Sequence, residues 1–278
     1  MNTFIYLSTS FFYDISLCMV YNRYFFGGII ILNQTSSLIH AQGQIQKQKG
    51  HILTPHVCIP SRISLIDEFI GGFKANTLTY LYGNSSFVHR FPYYLCINTY
   101  AMFYGISVFI DGGTSMNPYI LSKYAKTYEI PAWDVLGCVQ VSRAFTMHQF
   151  HSIVHDALEH LIKKQKPKTL IFHAFPLLYM DRDVSFHEAS TLFNVTLETI
   201  QVLTKKYQLI TLITNPANRR NHCVDTLHQS LFDKCDEIIS IQHMKHCPRV
   251  WLPQYHSAAT ITQGSKGQLC LHDFGMVM

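Results

Sequence analysis

The feature that most constrains the fold is a regular alternation of short apolar runs with longer amphipathic segments, which begins at residue 57. The apolar runs have the length of buried strands, and the segments between them have the 3.6-residue period of helices. The predicted strands, in chain order, are 78–81, 106–110, 139–141, 169–175 and 209–214. Strands that alternate with helices form a mostly parallel, twisted sheet that helices cover on both faces. The sequence therefore predicts an α/β fold.

Capping residues predict where three of the helices begin. Asn117 stands directly before a proline, which suits the first position of a helix. Thr146 with Gln149, and Ser185 with Glu188, have the spacing of a capping box,. We therefore expect helices that start at residues 118, 147 and 186.

The C-terminal part of the chain departs from the alternation. Short apolar runs follow one another there, and we expect antiparallel strands at the edge of the sheet. These predicted strands are 237–241, 249–252, 260–262 and 268–271.

The first fifty residues differ from the rest of the chain. Their cleanest apolar run, 24–32, is about half the length of the roughly twenty residues that a membrane helix needs,. Residues 34–49 are rich in Gln, Ser and Lys, as linkers are. We expect an N-terminal extension over 1–50, a core domain over 51–278, and no membrane span. Three interpretations of the extension stay open: a loosely packed addition, a partner-binding strand, or residues upstream of the true start.

Composition and cysteine spacing narrow the class of protein. Charged residues make up 14% of the chain, against about 25% in typical soluble domains,. The net charge of +5 with 16 His is a mild basic excess, which is compatible with a nucleic-acid partner,. The eight Cys are scattered without a C-x-x-C pair or zinc spacing, so no metal site is predicted,. Free thiols indicate a reducing, intracellular (cytoplasmic) compartment.

Residues 83–90, GNSSFVHR, occupy the place of a phosphate-binding loop between a strand and a helix. The consensus of that loop is Gly, four residues, then Gly-Lys-Ser/Thr. Gly83 matches its first position. Val88, His89 and Arg90 stand where the last three consensus residues belong. The loop therefore has the position of a nucleotide site without its chemistry.

Two interpretations of this loop stay open. It can be an ordinary turn from strand to helix. Alternatively Ser85, Ser86, His89 and Arg90, near a helix N-terminus, can hold a phosphate without magnesium. Asp111 ends the next strand, either as a member of that site or as a carboxylate that caps the following loop.

The order and spacing of several segments resemble the ATPase core of the RecA/Rad51/RadA recombinase family. The resemblance covers about residues 57–245 and is nearest to the Rad51/RadA branch. It rests on the segments 63–72, 77–83, 108–111, 117–118, 141–149, 169–175 and 212–215. It implies a RecA-like P-loop core and a role in DNA recombination or repair.

The departures from that family fall on its catalytic positions. Where family members have the phosphate-neutralising Lys and the magnesium-ligating Ser/Thr, this chain has His89 and Arg90. Gly113 stands for the catalytic Glu, His173 for the acidic residue of Walker B, and Pro216 for the Gln that senses the γ-phosphate. Phosphoryl transfer depends on these charges and on positioning. We therefore expect a pseudo-ATPase that has no catalytic residue and requires no cofactor. If it binds ATP at all, we expect the binding not to need magnesium. His173 itself fits a core His bonded to a neighbour better than a ligand or base.

The family's DNA path follows the loops after strands 169–175 and 209–214. In the first loop the candidate contact is Arg182. In the second loop the candidate contacts to DNA are Asn218, Arg219, Arg220, Asn221 and His222. Arginines would contact phosphates, with the Asn side chains adding hydrogen bonds. The alternative interpretation is a solvated loop.

Three functions remain as hypotheses. The leading one is a degenerate RecA/Rad51-like protein that binds DNA weakly, mainly single strands, or binds a recombinase or paralogue subunit. The second is a DNA-dependent ATPase with an atypical phosphate loop. The third is a regulatory or structural module outside DNA metabolism. No Phe-x-x-Ala motif precedes the core in the sequence, so a self-assembled filament is not predicted.

Overall fold

An eight-stranded sheet forms the centre of the protein. A computed structural model describes residues 57–180, 183–216, 222–243 and 247–261, with backbone alone for 222–225. The strands of the sheet are β3 (Thr77–Tyr82), β4 (Ser107–Asp111), β5 (Val139–Arg143), β6 (Thr169–His173), β7 (Ile210–Asn215), β8 (Glu237–His243), β9 (Pro248–Leu252) and β10 (Ser257–Thr260). Their order is β10-β9-β8-β3-β7-β6-β4-β5. A short antiparallel pair, β1 (Cys58–Ile59) with β2 (Phe73–Lys74), lies beside it.

The helices form one layer on each face of the sheet, because they share two separate apolar cores with it. The first layer holds α1 (Ser64–Phe69), α2 (Ser86–Phe103), α3 (Pro118–Thr127) and α4 (Ala132–Gly137). The second holds α5 (Met147–Ser152), a π turn (Ile153–Ala157), α6 (Leu158–Gln165), α7 (Phe186–Tyr207) and α8 (His222–Lys234). The predicted α/β architecture, with a mostly parallel sheet between helices, is confirmed.

Burial on both faces explains why the central strands read as continuous apolar runs. In β4, Val108 and Ile110 enter one core while Phe109 enters the other. Successive side chains of a strand point to opposite faces, so a strand covered on both sides has no polar face.

The predicted helix starts are also confirmed. The side chains of Asn117, Thr146 and Ser185 each accept a hydrogen bond from a backbone N–H two or three residues further along, at 2.9, 3.2 and 3.2 Å. These bonds satisfy amides that a helix N-terminus otherwise leaves unpaired.

The strand predicted over 169–175 is shorter than expected. It ends at His173, Ala174 has a φ of 56°, and a 3-10 helix follows over Phe175–Met180. Phe175 is fully buried and stacks on Phe193 of α7 at 4.6 Å between ring centroids. The apolar pattern of 169–175 therefore predicted that these residues are buried, but it did not predict that the strand ends at His173.

The prediction for 237–241 was wrong in direction. Strand β8 lies inside the sheet and pairs parallel with β3. The physical reason is α8, a helix that was not predicted from the sequence. It connects β7 to β8, and parallel strands need a crossover connection of this kind. Strands β9 and β10 are antiparallel at the sheet edge, as predicted, although β10 lies a few residues before the predicted run 260–262.

The N-terminal extension over 1–50 and the predicted strand 268–271 lie outside the described residues. Within the residues that are described, none of the helices is both long enough and apolar enough to cross a bilayer.

Candidate functional site

The loop after β3 lies at a switch in the topology of the sheet. From β3 the chain passes through α2 to β4, beyond β7 and β6. From β7 it passes through α8 to β8, on the other side of β3. Ligands of open α/β sheets bind at such points, beyond the carboxyl ends of the strands.

The loop itself is only three residues long, 83–85, because α2 begins at Ser86. Its amides are bonded to the neighbouring strands. The N–H of Gly83 donates to the carbonyl of Asn215 in β7 at 3.1 Å, and the N–H of Ser85 donates to the carbonyl of Ile241 in β8 at 3.4 Å. These two amides therefore face the sheet, whereas a phosphate-binding loop turns its amides toward the ligand.

Gly83 is required by this packing. Its φ is 137°, and a Cβ built on it would lie 2.0 Å from the carbonyl oxygen of Ile241. The glycine lets two strands approach closely, a role that does not depend on a phosphate.

Ser85 and Ser86 have different surroundings. Ser85 is 1% exposed and caps α2, its hydroxyl accepting from the N–H of Phe87 at 3.4 Å. Ser86 is the first helical residue and is exposed. Beside them, the side-chain oxygen of Asn84 accepts from the N–H of His243 at 2.6 Å. The hydroxyl of Ser85 is therefore engaged in the fold.

His89 lies one turn into α2 and is largely exposed. Its ring is 5.5 Å from the ring of His173, in an edge-to-face arrangement. Partial burial, and then the charge of Arg90, lower the pKa of His89 below its ordinary value. This shift disfavours the charged imidazole, so His89 is a poorer cation than a lysine would be.

His173 is 2% exposed at the end of β6. Its Nδ1 lies 2.6 Å from the hydroxyl of Thr214, which also accepts the N–H of Ala174 at 3.3 Å. Burial lowers the pKa of His173 to about 4, against the opposing charge of Asp111. The interpretation of His173 as a core His bonded to a neighbour agrees with this geometry.

Asp111 is fully buried at the end of β4 and orders the loop that follows it. Its two oxygens accept the N–H groups of Gly113 at 3.0 Å and Met116 at 2.8 Å. Arg143 lies 3.4 Å from the carboxylate and donates to the carbonyl of Met116 at 3.0 Å. Both oxygens of the carboxylate therefore accept from the loop that follows β4.

Arg90 lies on α2, five residues after the end of the loop. It is half-buried, and its Nη1 is a buried donor with no hydrogen-bond partner among the described residues. It also lies close enough to Tyr124 of α3 to counteract the rise in the pKa of that phenol caused by burial. Arg90 is the predicted loop residue whose side chain has a buried donor without a hydrogen-bond partner among the described residues.

Among the described residues, the side chains at this edge of the sheet differ from those of a P-loop enzyme. His89, Arg90, Gly113 and His173 stand at the positions that resemble those of the family's Lys, magnesium ligand, catalytic Glu and Walker B acid. Over the described ranges, no group of three or more His, Cys, Asp or Glu side chains is arranged to hold a metal ion. What remains is a short loop beside one arginine.

The candidate DNA contacts cannot be located in the same way. Arg182, Asn218, Arg219, Arg220 and Asn221 lie outside the described residues, and His222 is described only as the first backbone position of α8.

The structure adds a polar cluster at the base of the second loop, which the sequence analysis did not find. The hydroxyl of Tyr80 lies 3.0 Å from Nδ1 of His228 in α8. The amide of Asn215 lies 3.1 Å from Nε2 of the same ring. These bonds join β3 and the end of β7 to α8, and residues 217–221 connect β7 to α8 along the chain. Tyr80 is more than 130 residues away from Asn215 and His228 in the sequence, so no local pattern signals the cluster.

Comparisons with known proteins do not assign this chain to a class. No protein-family model matches it. No curated protein matches it either.

Proposed function

We propose that this chain is a catalytically degenerate RecA/Rad51-like protein that acts in DNA recombination or repair. It binds DNA, a recombinase partner, or both, without efficient ATP hydrolysis. The observation that carries the proposal is the unit β3–loop–α2. This unit lies in the middle of the sheet, at the topological position where nucleotide sites occur,. The amides of Gly83 and Ser85, however, donate to neighbouring strands.

The missing charges explain the expected loss of hydrolysis. Phosphoryl transfer relies on a lysine and a magnesium ion to neutralise the phosphates, and on positioning of the attacking water. Loss of one such group costs roughly 3–4 kcal/mol of transition-state stabilisation, on the scale measured for other charge-stabilising groups. His89, whose pKa is lowered, and Asp111, which accepts from backbone amides, do not replace them.

A recombinase partner is favoured by the other edge of the sheet. Strand β5 is the terminal strand and pairs only with β4 among the described strands. A small apolar cavity lies beside it, between β4, β5, the π turn and α6, and its lining includes Ile110, Ile153 and Leu161. An unpaired edge next to an apolar cavity suits an extended segment that adds as a strand and lays one apolar side chain over the cavity.

A second candidate function, nucleotide binding without magnesium, is favoured by Arg90. Its unpartnered Nη1 and the N-terminus of α2 both attract anions,. Binding of this kind would regulate the protein rather than drive turnover.

The test of both candidates is an ATP titration of the purified chain, with and without magnesium and single-stranded DNA, together with an ATPase assay. The leading proposal expects no magnesium-dependent binding and no turnover. Binding without magnesium that weakens in Arg90→Ala, but not in the control Lys123→Ala on α3, would establish the second candidate. DNA-stimulated turnover that requires His89 would refute the leading proposal.

The DNA arm is tested by the salt dependence of binding to single-stranded DNA. Arg219→Ala with Arg220→Ala removes two phosphate contacts, and we expect the slope of log K against log salt to flatten by about 1.4 for single strands. The control pair is Lys163→Ala with Lys164→Ala at the end of α6. Equal slopes in both double variants would exclude the second loop as the DNA contact.

Binding to a protein partner is tested by co-purification with a Rad51/RadA-class recombinase. Gln140→Phe places a large ring over the cavity beside β5 and should abolish the complex. The control Val202→Phe lies on an exposed position of α7, 60% accessible, and should not. If the native chain binds neither DNA nor a recombinase, a regulatory module outside DNA metabolism becomes the preferred function.

A further inference from the structure

One face of strands β9 and β10 carries polar side chains and a tryptophan instead of core residues. Val250 and Leu252 of β9 point into the core of the first helix layer. The core of the second layer includes Ile238 of β8 but, among the described residues, no side chain of β9 or β10. Successive side chains of a strand point to opposite faces, so Arg249 and Trp251 lie on the side of the second layer, outside its core.

The pairing of β8, β9 and β10 shows which side chains share this surface, because directly paired residues of neighbouring strands lie on the same face. These side chains, which we call the β9 face, form the row Ser240, Trp251 and Ala258 and the row Gln242, Arg249 and Thr260. Ser240 is buried, Trp251 is half-buried, and the other four are exposed. The β9 face is therefore accessible from solvent.

The surroundings of Trp251 leave room for a planar ligand. Its two neighbours in the row are Ser240 and Ala258, whose side chains are small. The indole therefore projects above the residues beside it on the sheet. It meets the ring of His256 edge-to-face, with centroids 6.4 Å apart. Aromatic rings that project from a sheet in this way stack on the bases of single-stranded nucleic acids, and every base offers a ring face.

The β9 face has a positive charge and no carboxylate. Arg249 is exposed, and it takes part in none of the ion pairs that the described residues form. Gln242 and Thr260 lie on either side of it and supply hydrogen-bonding groups. A polar, cationic surface with one projecting ring suits a ligand that combines phosphates with flat bases better than it suits an apolar protein surface.

We propose that the β9 face binds single-stranded DNA, with a base stacked on Trp251 and a phosphate bound by Arg249. The two residues are two positions apart on one strand, about 7 Å, a separation that one nucleotide can span. This inference rests on the DNA binding in the proposed function. It adds a stacking surface on β9 to the phosphate contacts proposed for the second loop.

The test is a titration of a fluorescently labelled oligothymidylate with the full chain. Trp251→Ala should weaken binding about tenfold, within the range found for loss of one stacked base, whereas Trp251→Phe should retain most of the affinity. The control is Trp133→Ala, which removes the other tryptophan of the chain, 80% exposed on α4, and should bind like the native protein.

The salt dependence of the same titration separates stacking from charge. Stacking releases no counterions, so Trp251→Ala should keep the native slope of log K against log salt. Arg249→Ala removes one phosphate contact and should flatten the slope by about 0.7.

A second measurement leaves Trp251 in place. Trp133→Phe makes Trp251 the only tryptophan of the chain. Its fluorescence should be quenched by oligothymidylate but not by an abasic oligonucleotide of the same length, which has phosphates and no bases.

The outcomes distinguish this inference from the proposed function. If the native chain binds oligothymidylate, yet Trp251→Ala binds equally well or Trp251 is not quenched, the inference is overturned and DNA binding stands. If the native chain does not bind the oligonucleotide, both are overturned. Tighter binding of an oligouridylate of the same length would overturn DNA as the ligand, and self-association that Trp251→Ala abolishes would identify the β9 face as an interface between copies instead.

Discussion

A methyl group at Gly83 would collide with the neighbouring strand. The Cβ of Gly83→Ala would lie 2.0 Å from the carbonyl oxygen of Ile241 and 2.7 Å from its carbonyl carbon. Both atoms belong to the backbone of β8, which pairs with β3 on one side and β9 on the other. No side-chain rotation relieves the contact, so the loop or the sheet must shift.

Two terms set the expected loss of stability. An alanine held at a φ of 137° carries backbone strain of about 1–3 kcal/mol,. Accommodating the methyl group by backbone movement adds roughly 1–3 kcal/mol more. We therefore expect Gly83→Ala to lower the free energy of unfolding by about 2–6 kcal/mol, a large share of the roughly 5–15 kcal/mol of a typical protein. The melting temperature should fall by roughly 10 °C.

Urea unfolding followed by circular dichroism measures this loss, with Gly137→Ala as the matched control. A Cβ at Gly137 meets nothing within 4 Å. That substitution at the end of α4 should be neutral, or stabilise by up to about 1 kcal/mol. If Gly83→Ala unfolds within about 0.5 kcal/mol of the native protein, the loop does not pack as described. The view that this glycine serves the fold rather than a phosphate then fails.

Three other variants test neighbouring features. His173→Asn should flatten the pH dependence of stability. Between about pH 6.5 and 4, His173 binds a proton in the unfolded chain but not in the folded one. The free energy of unfolding of the native protein therefore falls by about 3 kcal/mol as the pH drops through this range,. Urea unfolding midpoints at several pH values measure this fall. Ser85→Ala should cost about 1 kcal/mol through the lost cap of α2, whereas exposed Ser86→Ala should cost almost nothing; equal midpoints would contradict the cap,. Asp236→Ala should lower the free energy of unfolding by about 1–3 kcal/mol, since the carboxylate of Asp236 accepts from a backbone amide of β3 at 2.8 Å,. Asp233→Ala, on the surface of α8, is the control and should leave the midpoint unchanged.

The differences between α2 and a P-loop helix follow from few residues. Gly83 and Ser85 are compatible with a phosphate loop in the sequence, yet their amides point to Asn215 and Ile241. The partners of these amides lie more than 120 residues away along the chain, so no local pattern could assign them. The side-chain charges, in contrast, could be predicted from the sequence, because residue 89 is a His and not the Lys of the consensus loop.

Sequence patterns identified the elements whose causes are local. Asn117, Thr146 and Ser185 begin helices because a side chain and a backbone amide two or three residues away suffice for a cap. The apolar runs identified the buried strands, since covering both faces leaves no polar alternation.

The sequence by itself determined the layered α/β class and most helix starts, because residue type and short spacing decide these. Tertiary structure alone decided the direction of β8, the end of β6 at His173 and the groups that the loop amides bind. It also decided that Asp111 accepts hydrogen bonds from the backbone amides of Gly113 and Met116. Each of these depends on contacts between segments distant in the chain, and the free energy of such contacts is absent from any local pattern.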